Sequence, residues 1–566
     1  MKILYNPSQK EYDKVLTLLE DEGNNVLALY ELGNIHYKNF LQLPKEDSIQ
    51  LSDSYYKKAL EGFSQLVQKE NQKTKKLIPY LHYRIGKMFE YGQGTEVNIE
   101  QSIKEYIQAD GNKYALYRLG SIYQRGEKLP DDLADQTELN DRALKLFKRS
   151  AELENAYGSY AYAKLAESSY PNITPSEIAK YYLEALDGFK DMHSKNKSPE
   201  LAYKIGVMYF YGKGTEKDIE KAVEYFKSAK EFKNYFAEYM LGRIYIEDTS
   251  GMYNKDEGMV ILKKLIESED ENIPLSLKGQ ASFAIGHFYF KDEEMRDYGK
   301  ALKYLQIAAD EGNDWASYDI ARIHIDSSAV YYNANKGIEI LLQLAKSKDV
   351  TNLTLKGQIM YTLGKSYLED ENVKNINSAV HWLKESAKLD NSFAHCKLGK
   401  IYSDEASNYY NRDLAFLHYK AAAVLDNDNG QYHYGKMLCE NGDTDTGLKY
   451  LSMSMDNDNS AAAIELGSIY LFGKYGIQKD IEYGKELLER ALAQGNEYAG
   501  KVMDFYDNYK DSAEASLVYS LCRNVFSAIG DLTWQKQQYM STKQFRVKSK
   551  EMKKVLAKRQ EKDHEQ

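Results

Sequence analysis

A small residue returns along this chain at a spacing that no single globular core would impose. It is Gly33, Gly86, Gly120, Ala163, Gly206, Gly242, Gly286, Ala321, Gly364, Gly399, Gly435 and Gly467, usually behind a leucine or isoleucine. Most intervals are 32–36 or 43–44 residues, and the first is 53. A period in that range means stacked helical hairpins. Three residues after the small one an aromatic recurs, as at Phe89, Tyr123, Tyr209, Tyr245, Tyr289, Tyr367, Tyr402 and Tyr470. With 566 residues, the chain exceeds the roughly 250–300 that one core supports. Stacking escapes that limit, because each repeat packs only on its neighbours.

The cleanest copy, 466–499, shows how one repeat is built. Leu466, Ile469 and Tyr470, then Leu487, Leu488, Ala491 and Leu492, recur at helical spacing, so each helix has an apolar face. Gly467 lies inside the first helix, where glycine costs roughly 1 kcal/mol against alanine. That cost implies a close helix–helix contact. Gly473 and Gly476 fit left-handed caps, Asp480 suits the start of the next helix, and Gly495-Asn496 closes it. From Gly242 to Gly399 the intervals run 44, 35, 43, 35, and both long ones carry Leu-Ser/Thr-Leu-Lys-Gly-Gln, at 275–280 and 353–358. That pattern reads as duplication of a two-hairpin unit.

The motif L-G-x-x-Y, G-x-G, D-x-x-K-A, A-x-x-G-N resembles the Sel-1-like repeat, a relative of the tetratricopeptide repeat. Gly206, Tyr209, Gly212, Gly214, Asp218, Lys221 and Ala222 carry it nearly in full, and Gly86, Gly92 and Gly94 carry much of it. The copies around Ala163 and Ala321 depart from it, which leaves distorted hairpins open there. The resemblance implies an all-α fold, a right-handed α-solenoid of about twelve hairpins. A weaker resemblance, to the repeat-rich C-terminal regions of conjugative-element relaxases, rests on Tyr-Tyr-Lys-Lys-Ala-Leu-Glu-Gly-Phe at 55–63, Tyr-Arg-Ile-Gly-Lys-Met at 83–88 and the charged ending 562–566. Their metal-binding nicking domain has no counterpart, since no two histidines are spaced H-x-H.

The chain is therefore expected to hold an N-terminal capping helix at 1–23, the repeat array at 24–510, a C-terminal capping helix at 511–540 and a basic tail at 541–566. The capping helix follows from Leu517, Leu521, Val525 and Ile529 at four-residue steps. The tail carries nine Lys/Arg against four Asp/Glu in a chain whose net charge is −10, so Lys550, Lys553 and Lys554 are candidate contacts for an acidic surface or nucleic acid. Stretches 126–135, 168–176, 194–199 and 268–274 read as insertions on one edge of the stack, not as domain boundaries. No stretch is apolar enough for a membrane span. Three unmatched cysteines favour a reduced, cytoplasmic setting.

No nucleophile–base pair, phosphate loop or metal-ligand spacing emerges. His395-Cys396 point apart on a helix, and His418, His433 and Cys439 lack zinc spacing. No catalytic activity and no cofactor or metal are expected. One position does stand out. The residue after the small one is Lys or Arg in seven of twelve copies, and the resemblance puts it on the concave face. Arg243, His287, Arg322, Lys365, Lys400 and Lys436 thus form a candidate partner-binding row, suited to an acidic peptide or a nucleic-acid strand, unless each cation pairs with an acid on the neighbouring repeat or simply snorkels. The expected function is a non-catalytic scaffold for a partner protein or peptide. The alternative is an accessory factor in conjugative DNA transfer.

Overall fold

The computed structural model describes residues 25–37, 44–69, 75–126, 135–247 and 251–509. The expected capping helices, and the tail with Lys550, Lys553 and Lys554, lie outside them. Among the described residues the regular elements are 25 α-helices and one 3-10 turn. They make twelve consecutive pairs and a last single helix, an all-α repeat array.

The chain divides into two compact units between Ile273 and Pro274. That division falls inside 268–274, which the sequence reading takes for an edge insertion. The reason is local: the helix Lys255–Glu267 ends at Ser268, and Pro274 opens the next one, with a helix–helix turn between.

In unit one, α1 (Val26–Tyr37) pairs with α2 (Lys45–Gln68), α3 (Ile78–Tyr91) with α4 (Ile99–Gln108), and α5 (Lys113–Arg125) with α6 (Gln136–Glu152). Then come α7 (Ala156–Ser169) with α8 (Pro175–Asn196), α9 (Pro199–Tyr211) with α10 (Ile219–Lys230), and α11 (Tyr235–Ile246) with α12 (Lys255–Glu267). Unit two repeats the scheme: α13 (Leu275–Lys291) and α14 (Tyr298–Asp310), α15 (Asp314–Ile325) and α16 (Ala334–Lys346), α17 (Leu353–Glu369) and α18 (Ile376–Ala387). It continues with α19 (Ser392–Ser403) and α20 (Arg412–Val424), α21 (Asp428–Glu440) and α22 (Thr444–Asp456), α23 (Ser460–Phe472) and α24 (Ile481–Ala493), then α25 (Tyr498–Tyr509).

The periodic small residue is where the two helices of a pair touch. A Cβ on Gly33 would lie 2.5 Å from the Tyr56 ring, on Gly206 2.7 Å from Phe226, and on Gly467 2.8 Å from Leu488 Cγ. Those large partners are themselves buried. The pairs around Ala163 and Ala321 are as regular as the rest, and both alanines are fully buried. Distortion is avoided at Ala321 because the facing α16 supplies Gly337, where a Cβ would sit 2.9 Å from the Ala321 carbonyl oxygen.

Turns follow two recipes. Within a pair, Gly212 and Gly473 close their first helices with φ of 67° and 69°, and Asp218 and Asp480 cap the second helices through their carboxylates. Between pairs the asparagine also works forwards. The Asn496 side chain accepts from the Tyr498 N–H at 3.2 Å and so opens α25, while its backbone N–H donates to the Ala491 carbonyl at 3.1 Å behind Gly495, whose φ is 86°, and so also closes α24 as expected. Asn112, Asn234, Asn313 and Asn391 likewise open α5, α11, α15 and α19.

Candidate partner-binding faces

In unit two the first helices α13, α15, α17 and α19 border a cleft of about 1350 Å³. Its walls carry Phe290, Arg322, Tyr361, Thr362, Lys365 and Phe393. Tyr318 and Thr362 hydroxyls lie 2.9 Å apart and tie α15 to α17. Phe393 is 58% exposed, with its ring 5.9 Å from Tyr361.

The expected cationic row is only partly brought together. Arg322 and Lys365 both line the cleft. Arg322 is held by Asp319 at 3.1 Å and packs over Phe290 at 4.8 Å. The other oxygen of buried Asp319 meets His287 Nδ1 at 2.6 Å. Lys365 lies 3.8 Å from Glu369, which also takes Lys397 of α19. Arg243, in unit one, pairs with Glu247 at 2.8 Å and covers Phe210. Lys400 and Lys436 line no part of this cleft; both lie near His433 instead. The cleft wall itself carries five carboxylates, Asp326, Glu369, Asp370, Glu371 and Asp390, against Lys291, Arg322 and Lys365. The cleft is therefore a mixed-charge surface. An acid one helical turn along offsets three of the six row residues, Arg243, Arg322 and Lys365.

A cationic excess occurs elsewhere, in unit one, around a member of the same periodic position. Lys87 follows Gly86 on α3, and Arg84 precedes it by one turn. Arg84 is only 8% exposed, sits between the Tyr30 and Tyr80 rings at 4.8 and 5.0 Å, and donates its Nε–H to the Tyr80 hydroxyl at 2.8 Å. Glu90, buried, accepts from Arg118 Nε at 3.0 Å, Arg125 Nη2 at 2.9 Å and the Tyr106 hydroxyl at 2.8 Å. Burial, reinforced by Arg84 and Arg118, pushes the Lys87 ammonium down to about 8. Sequence reasoning missed this cluster. A signal was present: Arg84, Arg118 and Lys204 all stand two residues before the small one, and Tyr30, Tyr83, Tyr117, Tyr160, Tyr203 and Tyr239 three before it. The tyrosine position is one i,i+4 step from the position after the small residue, as Tyr83 is from Lys87, so those two rows share a face.

Cys439 is buried, and Cys396, His395, His418 and His433 are part-buried between the helices of unit two. Burial pushes the Cys396 and Cys439 thiols up to about 11, far from nucleophilic use. His395 and His418 face each other with Nδ1 atoms 3.0 Å apart. His433 stacks on Tyr419 at 4.5 Å. Among the described residues no three His, Cys, Asp or Glu side chains are placed to hold a metal ion. Burial, with Lys384, Lys400 and Lys436 nearby, depresses His418 to about 4 and His433 to about 3 from an ordinary 6.5. Their folded pKa lies below the unfolded one, so their contribution to stability is complete above about 6.5 and is lost as pH falls towards 4. The Trp382 fluorescence transition on heating should move to lower temperature between pH 6.5 and 4, and His418→Gln should reduce the shift. A transition that does not move over that range would show both imidazoles already accommodated as cations.

Comparison with known proteins falls on the same hairpins. The family model for the Sel1 repeat matches residues 79–109, 113–155, 199–231, 279–313, 360–391 and 460–496. These are the pairs beginning at α3, α5, α9, α13, α17 and α23. Among solved structures, the chain is similar to a protective antigen of uropathogenic Escherichia coli displaying an SLR fold, at 18% identity and TM-score 0.41, over 85% of this chain and 97% of that one. It is similar to a Sel1 repeat protein from Oxalobacter formigenes at 20% identity and TM-score 0.30, over 45% and 94%. Yeast Tom70 aligns at 13% identity and TM-score 0.32, over 85% and 99%. Among the described residues no helix is long and apolar enough to cross a membrane.

Proposed function

Six stretches of this chain are Sel1 repeats, and from that premise we propose that it is a non-catalytic scaffold whose unit-two cleft takes an extended segment of a partner protein. The observation that carries this reading is the cleft itself. Four first helices border it, with Phe393 and Tyr361 for apolar anchoring and charges of both signs around them. Arg322 and Lys365 are held by acids of their own helices, so a partner meets pre-oriented cations whose side-chain freedom is already reduced. The mixed lining favours a segment carrying both charges and an aromatic or aliphatic anchor over a purely acidic one. Cytoplasmic residence belongs to the same reading and rests on the unmatched cysteines.

A peptide library selected on the parent protein provides the test. Selected peptides should lose at least tenfold in affinity for a variant carrying Arg322→Glu, Lys365→Glu and Phe393→Ala, while circular dichroism stays that of the parent. Peptides that bind the triple variant as they bind the parent would place the docking surface outside the cleft.

A further inference from the structure

The cluster on α3 and α5 of unit one has more positive charge than its surroundings neutralise. Arg84, Lys87, Arg118 and Arg125 gather there, and among the described residues the carboxylates named around them are Glu31 and Glu90. Glu90 is already shared by Arg118, Arg125 and Tyr106. Glu31 accepts from the Asn34 amide at 3.3 Å. Arg84, almost fully buried, has tyrosine rings and the hydroxyl oxygens of Tyr80 and Tyr30 for company and no carboxylate in reach among the described residues. Lys87, half-buried, has no hydrogen-bond or ion partner among them. Charge withdrawn from water without a counter-charge is costly, and native structures rarely keep it without a use.

We propose that this cluster is a binding site for a phosphate monoester dianion, with Lys87 and Arg84 as its direct contacts. Four cations against two carboxylates leave an excess of two, which matches a phosphate monoester at about −1.5 to −2 near neutral pH better than a carboxylate at −1. Arg84 spends its Nε–H on Tyr80 and a further N–H on Tyr30, which leaves its remaining terminal N–H groups for donation. Lys87 adds a point charge with three donors. Arg118 also donates to the Tyr91 hydroxyl, and Tyr91, 49% exposed, links the cluster to solvent. The site stands apart from the peptide cleft, on different helices of a different unit, so either reading can fail without the other.

The dianion also fixes a pH window. Phosphate monoesters lose their second charge below about 6, and Lys87 loses its own above about 8. Affinity should peak near pH 7 and fall on both sides.

Calorimetric titration of the full chain with inorganic phosphate, N-acetyl-phosphoserine amide and N-acetyl-glutamate amide tests this. The parent should bind a phosphate probe and not the glutamate probe. Lys87→Met should weaken phosphate binding at least tenfold while melting no lower than the parent, since removing Lys87 relieves repulsion with Arg84 and Arg118. Lys87→Arg should restore binding. Tighter binding of phosphoserine than of inorganic phosphate assigns the site to a phosphorylated side chain; the reverse order assigns it to free phosphate. Equal binding of the glutamate probe, no binding of either phosphate probe, or undiminished binding by Lys87→Met overturns the proposal. So does a Lys87→Met variant that melts below the parent, because the lysine would then be structural.

Discussion

Glu90→Ala should be the most damaging single substitution in unit one, costing about 3–5 kcal/mol, the range for removing one partner of a buried ion pair. Its side chain is 2% exposed and answers Arg118, whose own side chain is 19% exposed, as well as Arg125 and Tyr106. Truncation leaves the Arg118 guanidinium withdrawn from water with no carboxylate opposite, beside Arg84 and Lys87. Glu90→Gln keeps an oxygen acceptor without the charge and should cost less. In an array of repeats a single global unfolding free energy is not well defined, so the informative readout is hydrogen exchange resolved by segment. Amides of α3, α4 and α5 should lose protection, and those of unit two should not. Protection unchanged across α3 to α5 would mean that Glu90 contributes nothing beyond its neighbours' packing.

Gly364→Leu should break the pair α17/α18. A Cβ at this position would already lie 2.6 Å from Leu383 Cγ and 3.1 Å from the Leu383 backbone nitrogen. The side chain can turn away, but the backbone cannot without separating the helices. Overpacking of this sort costs about 1–3 kcal/mol and sometimes more. Gly364→Ala should fall between parent and leucine variant, as Ala163 and Ala321 show that a methyl is accommodated where the facing helix allows it. A leucine variant that melts with the parent would mean that α18 yields at no cost.

Much of this architecture was legible before any coordinates. The period of the small residue locates all twelve helix pairs, because a glycine inside a helix is tolerated only where a neighbour leaves no room. The boundary at Ile273 was not legible: a chain break between compact units and a loop between hairpins use the same proline and polar residues. Only one of the two roles of Asn496 was legible. Gly-Asn after a helix reads as a left-handed cap, and the Asn496 N–H does close α24 on the Ala491 carbonyl; that its side chain also opens α25 shows only in the hydrogen bond from Tyr498.

The candidate surface was legible only in part. Counting Lys and Arg at one position found Arg322 and Lys365 in the cleft, yet it could not see that Asp319 and Glu369 stand one turn away on the same face. Charge at a surface is set by pairs, and a tally at one register position omits half of each pair. The cluster at Lys87 escaped for the opposite reason. Its excess comes from two register positions, Arg84 and Arg118 on one and Lys87 on the other, and neither alone differs from the rest of the chain.

The recurring hexamer at 275–280 and 353–358 opens α13 and α17 in the same way. Leu275 and Leu353 are each 65% exposed, while Leu277 and Leu355 are 0% and 1% exposed. The two stretches thus present interchangeable joints, with the same residues turned inward and outward at the same turn of helix. Genetic exchange between the two coding segments would delete or add two hairpins and still leave a matched seam. The length of the cleft, and so the length of the segment proposed to dock there, is then a quantity that recombination can change in whole steps, without any substitution in the walls.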